Sequence, residues 1–234
     1  MNTIKLFALL TLLVSTQLMA NECVILLHGL ARSDSSMKTM AAELNNAGFT
    51  AINYDYPSTQ HPVEKLADDA ISDALSQCPE QSTVHFVTHS MGGILVRQYL
   101  SQHSIENLGR VVMLGPPNQG SEVVDTLHNM PGYELINGPA GHQLGTDIES
   151  IPNKLGPADF ELGIIAGTRS INLILSTMLP STDDGKVTVE NTKLEGMKDH
   201  IALPVTHPFM MKNQDVIEQV IHFLKSGTFK KAEA

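Results

Sequence analysis

The sequence predicts an α/β fold, a mostly parallel sheet flanked by helices. Strand-like and helix-like segments alternate along the 234 residues, the pattern from which parallel sheets are built. The apolar runs Cys23-Val24-Ile25-Leu26-Leu27 and Val111-Val112-Met113-Leu114 show no polar alternation, as expected of strands buried on both faces. A β-rich run, 82–87, leads through Thr88 and His89 to Ser90 and passes at once into a helical stretch, 94–100.

Residues 1–20 carry one lysine, Lys5, no acid, and a nine-residue apolar stretch at 6–14. That length is short for a bilayer span and suits a secretory signal cleaved after Ala20, with an uncleaved anchor as the alternative. Residues 21–234 then form one domain with ample chain for a core. After the first strand, Met37, Met40, Ala41 and Leu44 make a helical stripe closed by Gly48, and 49–54 read as a strand ending in the turn Asp55-Tyr56-Pro57-Ser58-Thr59. Val63, Leu66, Ala70, Ile71, Ala74 and Leu75 mark a helix that starts near Pro62. Strand 110–114 runs into Gly115-Pro116-Pro117-Asn118-Gln119-Gly120-Ser121. From 121 to 159 a helical start gives way to a glycine- and proline-punctuated stretch, a candidate short cap. Strand 160–168 follows, then an apolar segment at 171–180, the turn Asp183-Asp184-Gly185, the run Leu203-Pro204-Val205 before His207, and a last helix with Val216, Ile217, Val220 and Leu224.

Ser90 is flanked two residues away by Thr88 and Gly92, small enough for the sharp strand-to-helix turn that exposes a nucleophilic serine. A helix N-cap is the plainer reading. His28-Gly29 closes the first strand about 60 residues earlier. With these features the chain resembles the α/β-hydrolase family, in particular its small bacterial lipases and esterases. Threonine at 88 departs from the family's usual glycine. The resemblance implies a minimal sheet of about six strands and an oxyanion hole made by the backbone N–H groups of Leu30 and Met91. It also implies the chain order serine, acid, histidine. His207, in the loop before the last helix, fits the final member; His200, beside Asp199 in a polar stretch, reads as a solvated loop residue. Asp184, before Gly185 and a small apolar run, resembles the family's acid turn, with Asp183 its rival and a plain turn the alternative. The same resemblance makes the two cysteine-bearing strands neighbours, so Cys23 and Cys78 are expected to pair in an oxidising compartment, the alternative being two free thiols.

The implied function is an exported, periplasmic or secreted, serine hydrolase that cleaves acyl esters through Ser90, Asp184 and His207. An acyltransferase or thioesterase with the same residues, or a binding module that has lost catalysis, are the alternatives. Without the signal the chain has 14 basic and 25 acidic residues, a net charge of −11, which argues against nucleic acid and anionic membranes as partners. No cofactor or metal motif occurs, and no stable membrane insertion is expected after cleavage. The 171–180 segment is expected either to pack on the body or to wall an acyl chain in a shallow, open groove serving short to medium esters.

Overall fold

The computed structural model describes residues 21–171 and 173–231. The signal expected at 1–20 lies outside the described residues. One sheet organises the chain: β1 (Glu22–Leu27), β2 (Thr50–Tyr54), β3 (Thr83–His89), β4 (Leu108–Leu114), β5 (Leu162–Gly167) and β6 (Asp199–Leu203). They lie in the order β2-β1-β3-β4-β5-β6, with every neighbouring pair parallel. The helices are α1 (Lys38–Asn46), α2 (Val63–Leu75), α3 (Met91–Leu100), α4 (Glu122–Leu127), α5 (Tyr133–His142), α6 (Ile151–Lys154), α7 (Leu173–Ser176), α8 (Val189–Thr192) and α9 (Gln214–Ser226).

Period-two geometry explains the unalternated strands. Cys23, Ile25 and Leu27 of β1 enter a core shared with α2 and α3, while Val24 and Leu26 enter a second core shared with α1 and α9. Val111 and Met113 of β4 face the first core, Val112 and Leu114 the second. Each helix buries its apolar stripe: Val63, Leu66, Ala70, Ile71 and Ala74 on α2; Val216, Ile217, Val220, Phe223 and Leu224 on α9. The Asn213 side chain caps α9 by accepting from the Val216 N–H, and Gly227 closes it at φ 78°.

One expectation is corrected. His200 is a half-buried residue of β6, not a solvated loop residue, and its Nε2 lies 3.0 Å from Thr192 Oγ1. As an edge strand, β6 pairs only with β5 and leaves its other side unpaired among the described residues. Cys23 and Cys78 form a disulfide with Cα atoms 5.8 Å apart, tying the start of β1 to the turn that feeds β3. Among the described residues no helix is long and apolar enough to cross a membrane.

Candidate active site

β3 and β1 end side by side, Thr88 in register with Leu27, so the residues that follow them meet above one sheet edge. Ser90 follows β3 and precedes α3 with φ 52° and ψ −123°, a conformation costly for a non-glycine residue and held here by its surroundings. The Ser90 N–H donates to the Leu114 carbonyl at 2.9 Å, and its carbonyl accepts from the Gly93 N–H at 3.0 Å. A Cβ at Gly92 would lie 2.6 Å from the Leu27 carbonyl oxygen, so only glycine lets α3 approach β1 this closely. Thr88 is fully buried, and its hydroxyl finds no partner among the described residues.

The loop after β1 is pinned from the turn after β2. The Tyr56 hydroxyl donates to the His28 carbonyl at 2.5 Å, and the two rings stack at 4.1 Å. Ser58 Oγ accepts from the Ala31 N–H at 3.1 Å, where Ala31 stands at φ 52°. His28 Nδ1 lies 2.9 Å from the Gly29 carbonyl, and Nε2 lies 3.3 Å from the Tyr56 N–H and 3.2 Å from Asp55 Oδ1. Burial lowers the His28 pKa against the opposing pull of Asp55. The N–H groups of Leu30 and Met91 donate to no acceptor among the described residues, and Met91 opens α3, where the helix dipole is positive.

Asp184 is buried, with Oδ1 accepting the N–H groups of Lys186 (3.0 Å) and Val187 (2.9 Å) and Oδ2 2.7 Å from His207 Nδ1. The His207 N–H also donates to the Asp184 carbonyl at 2.9 Å. Asp183 is turned elsewhere: its Oδ1 accepts from Ser176 Oγ at 2.8 Å and from the Gly185 N–H at 2.7 Å. Ser90 and His207 line one cavity without a hydrogen bond between them among the described residues. Catalytic hydrogen bonds commonly tighten only around substrate.

Several residues around this site carry no sequence signal of their own. Gly115, at φ +54°, leaves room for the Asp184/His207 pair, since a Cβ there would sit 2.9 Å from Asp184 Oδ2 and 3.1 Å from His207 Nδ1. His89 is buried beneath His207 and donates from Nε2 to the His207 carbonyl at 3.0 Å. Burial first, and then the neighbouring His207, hold the His89 pKa well below the usual value. Its neutral ring therefore supports His207 without competing for the proton. Tyr56 and Ser58 act on partners 27 and 28 residues away. The one available clue was their place in the turn after β2.

The cavity holding Ser90 measures about 520 Å³. Its apolar wall comes from α4, α5 and the link between them, including Val123, Val124, Leu127, Met130, Tyr133 and Ile136. Of the segment expected to wall an acyl chain, 171 and 175–179 do not line the cavity, and the side chains of 172–174 lie outside the described residues. Ile171 is instead exposed and Leu179 buried, whereas residues of α4, α5 and the link between them line the cavity with Ser90. A larger cavity of about 690 Å³, between α2 and the cap, contains neither Ser90 nor His207.

A family model described as "Alpha/beta hydrolase family" matches residues 24–176. Among solved structures, the mature form of the Bacillus licheniformis lipase BlEst2 superposes with a TM-score of 0.66 at 20% identity, over 90% of this chain and 94% of that one. The lin2722 product of Listeria innocua gives 0.60 at 20% identity, over 91% and 96%. The metagenomic carboxyl esterase MGS0156 gives 0.60 at 18%, over 81% and 65%. At these identities the likeness is one of fold. No curated protein matches the chain in sequence.

Proposed function

Because the chain belongs to the alpha/beta hydrolase family, we propose that it is an exported serine hydrolase that cleaves carboxylic acyl esters. The observation that carries this reading is the buried Asp184 held 2.7 Å from His207, in the cavity where Ser90 stands at positive φ. In the proposed reaction His207 Nε2 takes the proton from Ser90 Oγ as the oxygen attacks the ester carbonyl. Asp184 fixes the proton on Nδ1 and stabilises the imidazolium. The unbonded N–H groups of Leu30 and Met91 receive the carbonyl oxygen as it becomes negative, a contribution of roughly 3 kcal/mol per donor in comparable sites. His207 returns its proton to the departing alcohol, leaving an acyl group on Ser90; water activated by the same histidine then releases the acid.

Apolar residues 123–136 receive the acyl chain, each buried methylene contributing about 0.8 kcal/mol, which favours short to medium esters. Export is supported by the disulfide between Cys23 and Cys78, since such bonds persist in oxidising compartments. The test is hydrolysis of soluble p-nitrophenyl esters from acetate to laurate. Turnover that peaks between four and eight carbons agrees with the reading. No turnover of any of them, by folded protein, contradicts it.

A further inference from the structure

Two cations and no carboxylate line the cavity beside Ser90, among the described residues: Arg32 from the loop after β1, and Lys186 from the turn before α8. Neither side chain forms an ion pair among the described residues, in common with Arg169, Lys212, Lys225 and Lys231, so their place at the cavity is what sets them apart. Both are exposed, and in a chain with 25 acidic and 15 basic residues the rim of this cavity carries two positive charges with no carboxylate beside them among the described residues. The Lys186 N–H is bonded to Asp184, the residue that holds His207. Crowding around the Lys186 ammonium, and then the charge of Arg32, hold its pKa below the usual lysine value against the pull of Asp184. Arg32 likewise acts on His89, beneath His207. Both cations line the same cavity as His207, opposite in character to the apolar side chains of α4 and α5 that line it too.

We propose that Arg32 and Lys186 form an anion-binding subsite for the alcohol half of the substrate. The preferred ester joins an apolar acyl chain, seated against Val124, Leu127, Met130 and Ile136, to an alcohol bearing a phosphate or carboxylate. This rests on the reaction proposed above. When the acyl carbon–oxygen bond breaks, the leaving oxygen takes the proton that His207 removed from Ser90, so the alcohol must lie beside His207. A charged substituent on a short spacer would share the cavity with Arg32 and Lys186. Arginine matches a two-oxygen anion face with its fork, and lysine adds a point charge.

The experiment compares kcat/KM for three butyrate esters with the same three-methylene spacer: those of 3-phosphooxypropanol, 4-hydroxybutanoate and, as the neutral control, 3-methoxypropanol. Wild type should favour a charged ester by roughly tenfold at low ionic strength, with the preference shrinking as salt is added. Arg32→Gln and Lys186→Gln should each cut the charged-to-neutral ratio about fivefold, and Lys186→Glu should invert it. The better of the two charged esters identifies phosphate or carboxylate as the source. A wild-type ratio near one, or a ratio that survives both glutamine variants, overturns the subsite. Calorimetric titration with propyl phosphate gives a readout independent of turnover: binding by wild type that is lost in the double glutamine variant supports the subsite, and no binding overturns it. Failure to hydrolyse any of the esters contradicts the esterase reading alone, and the titration still decides the subsite.

Discussion

Replacing Asp184 by asparagine changes one atom and should abolish most activity. The Asp184 Oδ1 accepts two backbone N–H groups, from Lys186 and Val187. An asparagine keeps its carbonyl oxygen there, which forces its NH₂ toward His207 Nδ1, 2.7 Å from the present Oδ2. An NH₂ can only donate, so the imidazole must present the Nδ1 lone pair and carry its proton on Nε2, where Ser90 needs an acceptor. Loss of the correct tautomer and of imidazolium stabilisation costs on the order of 10⁴ in kcat for a comparable serine hydrolase, about 5.4 kcal/mol in the barrier. Asp183→Asn disturbs only contacts with Ser176 and the Gly185 N–H and should cost less than about fivefold. The assay is steady-state hydrolysis of p-nitrophenyl butyrate, with thermal unfolding of each variant as the control for folding. Asp183→Asn costing more than Asp184→Asn, or a folded Asp184→Asn retaining a tenth of the activity, would refute the assignment.

Gly115→Ala should lower kcat by roughly tenfold or more, because the new Cβ presses on both Asp184 Oδ2 and His207 Nδ1 at positive φ; full activity in a folded variant contradicts this. Replacing Cys23 and Cys78 together by serine removes a bond between residues 55 apart, and the chain-entropy estimate is about 4 kcal/mol of stability in urea titrations. A loss below about 1 kcal/mol would show that the bond constrains little. Burial is the largest cause holding His28, His85, His89 and His200 below the ordinary value of 6.5. The unfolded chain then protonates first, so stability is complete above about pH 6.5. It falls as pH drops through that value, by at most about 1.4 kcal/mol per pH unit for each histidine. Urea midpoints independent of pH between 7 and 5.5 would exclude this.

The parallel sheet was legible because burial on both faces leaves a one-dimensional trace, the unbroken apolar runs of β1 and β4. The setting of Ser90 was legible because the sharp turn restricts its neighbours to small residues, and Gly92 meets that restriction against the Leu27 carbonyl. β6 escaped because an edge strand with Asp199 and His200 has no continuous apolar run. The wall of the cavity was sought at 171–179 because that stretch is apolar, yet what decides is which segments share the cavity with Ser90, and residues of α4 and α5 do so. Gly115, His89, Tyr56 and Ser58 act through contacts between segments distant in the chain. No local period or propensity marks such residues.

The central claim, that Ser90 is a nucleophile activated by His207, is tested most directly by reaction with a fluorophosphonate, read by intact mass and peptide mapping. Wild type should gain one adduct on Ser90 as fluoride leaves. Ser90→Ala should gain none, and His207→Asn should react slower by several orders of magnitude, since the residues act as a unit. Labelling that persists in Ser90→Ala, or a His207→Asn rate equal to that of wild type, would contradict the account.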